Sequence, residues 1–527
     1  MHVFYRTCLR AGAALASISL LAGCGLFSDT EAGGQKKISV GTTSEPTTLD
    51  PAAAWDSSWE LYRNVFQTLL SFPTGSTAPQ PDAAQSCEFA DAASKTYVCV
   101  LKPGLVFSNG EKLDAAAVKH SIDRIRLIDV PNGPSGLLNS LGSVELVGDR
   151  TVKFHLKVAD ATFPFILATP AASLVPPGEY PRNSLRDDGR VVGSGPYVLR
   201  SYSKGKKAEL AGNETYDGYA KRQNDSLTIR YFTDSAAMVS ALREKEIQAT
   251  YRGLDANEVV ELQRKKPENE DLRLIETVGT DIRYLVFNAR DTNAGKLPVR
   301  QAVAQLVDRG ELVSKVYQGT AEPLYSMVPK GIVGHTTEFF DHYGDPNVAK
   351  ARKILADGGV ETPVRLDLWY TDRYGSTTAL EFKELKRQLE ASGLFKVKVT
   401  GKPEAEFLKG YKSGSYPVFG RGWIPDFPDP DNYVAPFVGE NNVLATPYVN
   451  DEITKELLPA SRRESDRGAV AKDFQRVQEI VAEEVRLLPL WQGKLYIAVS
   501  EEMGGGERAF DPQSIMQMWE LYRKASW

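Results

Sequence analysis

The sequence predicts a mixed α/β fold divided among more than one domain, and two observations carry that expectation. Strand-like and helix-like stretches follow one another: "VRLDLWYT" (Val364–Thr371) leads into "TALEFKELKRQLEASGL" (Thr378–Leu394), and "DIRYLVFNAR" (Asp281–Arg290) into "LPVRQAVAQLVDRGELVSKVYQG" (Leu297–Gly319). Such alternation builds sheets covered by helices rather than a bundle or a sandwich. The 527 residues of the chain also exceed the size at which a single core stops growing. Charge is near balance, with 63 basic against 68 acidic side chains, which leaves no basic field for nucleic acid.

The N-terminal stretch has a separate logic. Arg6 and Arg10 precede or border the apolar run "AGAALASISLLAG" (Ala11–Gly23), too short to span a bilayer and of signal-peptide length. The run ends at "LAGC" (Leu21–Cys24), which resembles a bacterial lipobox. That resemblance implies a signal peptide over residues 1–23, with Cys24 as a lipid-modified new N-terminus. Residues 24–37 then read as a flexible tether, placing the remainder at the extracytoplasmic face of the cell membrane.

Taken in order, "KKISVGTTSEPTTLDP" (Lys36–Pro51) opens with a strand and leaves it through a proline-bounded loop. "WELYRNVFQTLLSF" (Trp59–Phe72) has helical spacing at Leu61, Val65, Thr68 and Leu69. Cys87 and Cys99 flank a hairpin in which Cys87 and Phe89 share one face and Tyr97, Cys99 and Leu101 another. Exported proteins oxidise facing cysteines, so a Cys87–Cys99 disulfide is expected. Asp114 can cap a helix buried through Val118, Ile122 and Ile125, with His120 off the stripe and at the surface. "SVELVGDRTVKFHLKV" (Ser143–Val158) reads as a second hairpin with a Gly-Asp turn and a solvent-facing His155. The glycines of "GSGPYVL" (Gly193–Leu199) suit a backbone crossover, and Pro298 and Gly319 bound a single expected helix.

Catalytic patterns are missing. The sequence has no HExxH, no GxSxG elbow and no complete phosphate loop; "SYSK" (Ser201–Lys204) lies in a charged turn without partner motifs. His335 and His342, with Asp341 and Asp345 nearby, read as surface polar residues rather than metal ligands. Neither cofactor nor metal is expected. "GWIPDFPDPDNY" (Gly422–Tyr433) sets Pro425, Pro428 and Pro430 among three aspartates and three aromatics. Prolines at that density predict a stiff, irregular loop rather than a helix or central strand. Such a loop serves either as a pocket wall or as a structural turn with its aromatics inward and its aspartates in water.

The lipobox, "EPTTLDP" (Glu45–Pro51), "LKPGLVFSNGEKLDAAAVKHSIDRI" (Leu101–Ile125), "GSGPYVL", "YLVFNAR" with "VRQAVAQLVDR" (Tyr284–Arg309) and "GWIPDFPDPDNY" occur in this order. Together they resemble the extracytoplasmic solute-binding proteins of the oligopeptide/dipeptide (family 5) ABC transporters. The resemblance implies a two-lobed, periplasmic-binding-protein-like α/β fold of the large, three-domain, Venus-flytrap type. Its first lobe would combine residues 38–72, 191–280 and 501–527 with an accessory domain at 73–190, and its second would span 281–500. Hinge crossings are implied near Thr277–Ile282 and Tyr496–Ser500. The implied function is capture of oligo- or dipeptides in the interlobe cleft and delivery to a membrane permease, by a monomeric, non-enzymatic receptor. The alternative is a non-peptide solute such as a nickel-chelate, oligosaccharide, opine or antibiotic-like compound. Asp426 would pair with the peptide amine and Trp423 would form an apolar wall, joined by Tyr433 and, from the first lobe, Trp55 and Ser57. Asp429 and Asp431 need only turn or surface roles.

If Cys24 carries the lipid, Cys24→Ala is expected to move the protein from the membrane fraction to the soluble fraction, since stable anchoring rests on acyl chains attached there. Continued sedimentation of the variant with membranes would count against lipidation.

Overall fold

The computed structural model describes residues 37–525, apart from 265, 376, 441 and 445–448. Cys24 and the expected signal peptide lie outside them. The alternating apolar strands assemble an 11-stranded sheet whose main path runs Phe395–Lys402, Val364–Thr371, Val418–Trp423, Leu272–Phe287, Leu487–Ser500, Ala249–Thr250, Lys37–Thr42, Ser226–Tyr231, Lys207–Gly212 and Tyr197–Ser203. Val364–Thr371 and Phe395–Lys402 are parallel, which requires a crossover. The crossover is the helix Thr377–Ala391, buried through Phe382, Leu385 and Leu389.

Two long strands carry the sheet from one core into another. Leu272–Phe287 pairs antiparallel with Leu487–Ser500, from Leu272 opposite Ser500 to Val286 opposite Leu487. The register breaks between Val278 and Ile282. At the break a Cβ on Gly279 would fall 2.4 Å from the Gly493 carbonyl oxygen, so this close backbone approach needs glycine. On one side of the break Ile282, Tyr284 and Leu285 join Leu487, Leu488 and Trp491 in a core. On the other, Ile497 and Val499 join Ile38, Val40, Tyr251 and Trp519. The result is two α/β lobes joined by the ladder. The break coincides with the expected Thr277–Ile282 crossing; opposite it lie Gln492 and Lys494, upstream of the Tyr496–Ser500 stretch expected for the second crossing.

A separate four-stranded sheet, ordered Ala84–Phe89, Thr96–Leu101, Thr151–Leu156, Leu141–Val147, is formed by the two expected hairpins. Its core includes Cys99, Val118, Ile122 and Phe154. Asp114 caps the helix Ala115–Ile128 by accepting from the Ala117 N–H at 3.0 Å. His155 meets Glu145 at 2.7 Å, whereas His120 departs from the expected surface role: it is partly buried, with Nε2 2.9 Å from the Tyr180 carbonyl.

Two helices are shorter than their periodicity. Trp59–Val65 stops because the Val65 carbonyl accepts from the Gly195 N–H at 3.1 Å, and a Cβ on Gly195 would meet the Val65 carbonyl carbon at 2.6 Å. The expected crossover role of these glycines is thus a clamp on a helix end. The helix predicted over Leu297–Gly319 is split into Leu297–Leu306 and Arg309–Val316, because Asp308 starts a new cap by accepting from the Glu311 N–H at 2.7 Å.

Cys87 lies directly opposite Cys99 in the first hairpin, and the two are bonded. The bond closes a short loop, so replacing both cysteines by serine is expected to lower stability by about 2–4 kcal/mol, read as a reduced denaturation midpoint with solute binding unchanged.

Candidate functional site

The proline- and aspartate-rich stretch begins where the strand Val418–Trp423, paired with Ile282–Phe287, runs out. Pro425 and Pro428 lie in irregular backbone as expected, but Pro430 does not. It opens the helix Pro430–Val438, where a missing N–H is an orphan in any case. Asp429 caps that helix, accepting from the Asp431 N–H at 2.9 Å.

The three aspartates divide into two kinds. Asp429 is buried and doubly bonded to Arg467, at 2.7 and 2.9 Å. Asp431 is buried and doubly bonded to Arg462, at 2.9 and 3.0 Å. Asp429 keeps a turn role as the helix cap, but the expected surface role is corrected: both carboxylates are buried and pair with arginines that fasten the loop to residues 462–467, a proximity that only the folded chain creates. Bidentate guanidinium pairs are the strong form of this contact.

Asp426 is only 7 % exposed, yet none of the ion pairs among the described residues includes it. Its Oδ1 accepts from the Trp55 indole at 2.5 Å and its Oδ2 from the Asn432 amide at 3.0 Å. Its backbone N–H donates to Asn432 Oδ1 at 2.8 Å, and its carbonyl accepts from Gln513. Burial pushes the carboxyl up to about 6, against the hydrogen bonds from Asn432 and Trp55 that pull it down. An ionised carboxylate offers about four acceptor positions, so these two side-chain donors leave capacity for further N–H groups.

Trp423 stands beside it, partly buried, its ring edge-on to Phe437 at 5.3 Å and its indole donating to Asn432 Oδ1 at 3.3 Å. Trp55, 38 % exposed, faces the same carboxylate from the N-terminal segment. The structure therefore brings Asp426, Trp423 and Trp55 together. Two other expected residues stand apart. The Ser57 hydroxyl donates to the Glu45 carbonyl at 3.1 Å within its own loop. Tyr433 is wholly buried and donates to the Thr280 carbonyl at 3.2 Å, beside the break in the long ladder. Phe427 turns into the core of the four-stranded sheet, 5.9 Å from Phe165.

Two participants were not singled out from sequence. Asn432 had a local signal, since Asp429 and Pro430 announce a helix start that places it in the first turn. Gln513 had none: it is held by Arg63, which donates to its Oε1 at 2.8 Å and pairs with Asp511 at 3.2 Å. No group of three or more histidine, cysteine, aspartate or glutamate side chains placed to hold a metal ion occurs among the described residues. His335 instead bonds the Val328 carbonyl at 2.7 Å. A buried carboxylate bonded by one indole, near a second, and with no cationic partner among the described residues is suited to a compact organic cation that donates hydrogen bonds.

The profile of the bacterial extracellular solute-binding proteins, family 5, in its middle region, matches residues 78–444. The chain belongs to this family. A probable D,D-dipeptide-binding periplasmic protein of Escherichia coli is 26 % identical over 482 residues, covering 88 % of this chain and 90 % of the relative. Di/tripeptide-binding protein 1 of Pseudomonas aeruginosa is 26 % identical over 484 residues, covering 86 % and 88 %. An ABC transporter-associated periplasmic binding protein of Helicobacter pylori, solved with a bound peptide, superposes with a TM-score of 0.75 at 21 % identity, covering 93 % of this chain and 98 % of that one. The last comparison concerns the fold, which in this family-5 chain is the two-lobed arrangement described above.

Because Arg467 is the sole guanidinium bonded to the buried Asp429 among the described residues, Arg467→Ala strands a charge. The expected loss is about 3–5 kcal/mol of stability by urea denaturation. A loss below about 1 kcal/mol would rank the pair with exposed ones.

Proposed function

We propose that this protein is the extracytoplasmic receptor of an ABC importer, capturing oligo- or dipeptides between its lobes and passing them to the membrane permease. One observation carries the reading: Asp426 is a buried carboxylate that has no cationic partner among the described residues, while its two neighbouring aspartates each have an arginine. The free α-amine is the feature common to peptides of every sequence, and a charged, hydrogen-bonded carboxylate reads it directionally. Holding Asp426 in a prolyl-stiffened loop lowers the ordering cost of binding, and Trp423 and Trp55 would supply apolar surface next to it. Relatives named for dipeptides and for di- and tripeptides support the same solute class.

Further parts of this reading are a Cys24 lipid anchor, a monomeric receptor, and lobe boundaries at residues 38–72, 191–280 and 501–527 for the first lobe, 73–190 for its accessory domain and 281–500 for the second. The separate cores around Ile282, Ile38 and Cys99 support a division into three, but Ile497 and Val499 pack in the Ile38 core and Leu69, Leu70 and Phe72 in the Cys99 core, across the boundaries at 500 and 72. Within the site, Asp426 would hold the amine and Trp423 and Trp55 would line it. Ser57 and Tyr433 would act at one remove, through their loop and the ladder.

Asp426→Asn keeps the size but removes the charge, at an expected cost of about 2–5 kcal/mol in binding, or about 30-fold to 4000-fold in affinity. Calorimetry against one peptide, N-terminally free or acetylated, checks it. Acetylation should be severely damaging to the wild type and nearly neutral in the variant; a wild type indifferent to acetylation would refute the amine mechanism. Trp423→Ala should weaken both peptides alike.

The pH dependence has a definite sign. The ammonium binds the ionised carboxylate, and burial raises the Asp426 carboxyl to about 6. Affinity for the free-amine peptide is therefore expected to hold above that value and to fall by about tenfold per unit as pH drops below it. The acetylated peptide should show no such slope.

A further inference from the structure

Asn432 bonds both Asp426 and Trp423, the two residues of its own segment that the candidate site brings together. Its Oδ1 accepts both from the Asp426 backbone N–H at 2.8 Å and from the Trp423 indole at 3.3 Å, while its Nδ2 donates to Asp426 Oδ2 at 3.0 Å. These three contacts fix the amide's orientation: a flipped side chain would set its NH2 against two N–H donors and its oxygen against a carboxylate. The residue is buried, in the first turn of the helix capped by Asp429 and begun by Pro430. Its place is thereby set by the same aspartate–arginine pairs that fasten the loop.

We infer that Asn432 is the positioning residue for amine recognition, holding the Asp426 carboxylate in place for the ligand's ammonium while anchoring the neighbouring Trp423 indole. The inference rests on the peptide-amine reading above. A carboxylate free to rotate within a buried loop would find other donors or take a proton. A single amide that holds both its backbone and one of its oxygens removes that freedom while leaving acceptor capacity for the ligand. Leucine at this position would retain similar bulk without either function. Aspartate would still accept from the two N–H groups, but it would place a second carboxylate against Oδ2, and a like charge at that distance raises a carboxyl's proton affinity.

The charged and titratable groups around Asp426 are few. On its own loop and helix, Asp429 and Asp431 are each paired with an arginine. Tyr433 is held protonated by burial, with Tyr284, Asp281 and Asp426 adding to the effect. From the facing segments come Asp56, next to Trp55 and bonded to Thr47 at 2.6 Å, and the Arg63–Asp511 pair behind Gln513.

The experiment measures affinity for one peptide, free and N-acetylated, from about pH 5 to about pH 8, in wild type, Asp426→Asn, Asn432→Asp and Asn432→Leu, with thermal unfolding as the folding control. For Asn432→Leu the advantage of the free amine should shrink by about tenfold, the size of one lost charge-assisted hydrogen bond. For Asn432→Asp the pH below which that advantage disappears should rise by about one unit or more. Acetylated-peptide affinity should stay within about threefold of wild type in both, within the scatter expected where no direct contact is lost.

Equal weakening of both peptides without a moved pH profile would make Asn432 a merely structural residue and overturn the inference. Wild-type behaviour in both variants, or failure of both to fold, would overturn it too. If Asp426→Asn retains the free-amine advantage, the amine reading itself fails, and with it the role assigned to Asn432. That failure is visible without any Asn432 variant.

Discussion

The pairing of Leu272–Phe287 with Leu487–Ser500 is the constraint on which the rest of the structure depends. Each strand is long enough to serve two cores, and their side chains enter one core before the register break and another after it. Because the break is bridged by Gln492, which donates to the Gly279 carbonyl at 2.8 Å, the connection between lobes is a distorted ladder rather than two loose linkers. Relative movement of the lobes would have to pass through that ladder as twist and bend, concentrated where the glycine backbones meet. The candidate site sits close by: the strand leading to Trp423 pairs with the same long strand, Ile282 opposite Trp423.

Electrostatics then decides which parts of the site are fixed and which are open to chemistry. Three aspartates in one short loop would be costly to bury together. Two are neutralised by arginines from a neighbouring segment, and the pairs double as fasteners. The third is stabilised by neutral donors alone, which keep it hydrogen-bonded without satisfying its charge. The loop thereby has a charge-paired half and a half whose carboxylate has only neutral partners among the described residues, separated by only a few residues.

Much of this fold was legible in the sequence because it is local. The period of apolar residues announced the strands and the helix Thr377–Ala391, Asp114 announced a cap, and the face shared by Cys99 with Tyr97 and Leu101 announced the bonded hairpin. Errors arose where a distant partner intervened. The helix after Trp59 ends because Gly195 takes a carbonyl that periodicity would have left inside the helix. The division at Asp308 had its own local sign, an aspartate followed three residues later by Glu311, which hydrophobic spacing overshadowed. In the candidate site, the proline density drew attention to the stretch that holds Asp426 and hid the helix that Pro430 begins. Arg462, Arg467 and Gln513 carried no signal, since their relation to the loop exists only after the chain has folded back on itself.

The order of strands has a consequence for how the protein is made. Leu487–Ser500 lies in the interior of the large sheet, between Leu272–Phe287 and Ala249–Thr250, yet it follows every other strand of that sheet in the chain. A nascent chain therefore holds two half-sheets with facing open edges until synthesis is nearly through. Non-local pairing of this kind is slow to nucleate because a long loop must close before any contact rewards it. The four-stranded sheet, built from neighbouring hairpins, meets no such delay. One part of the molecule can mature as soon as it emerges, while the large sheet stays unfinished, and pliable enough to be threaded, until its last strand arrives.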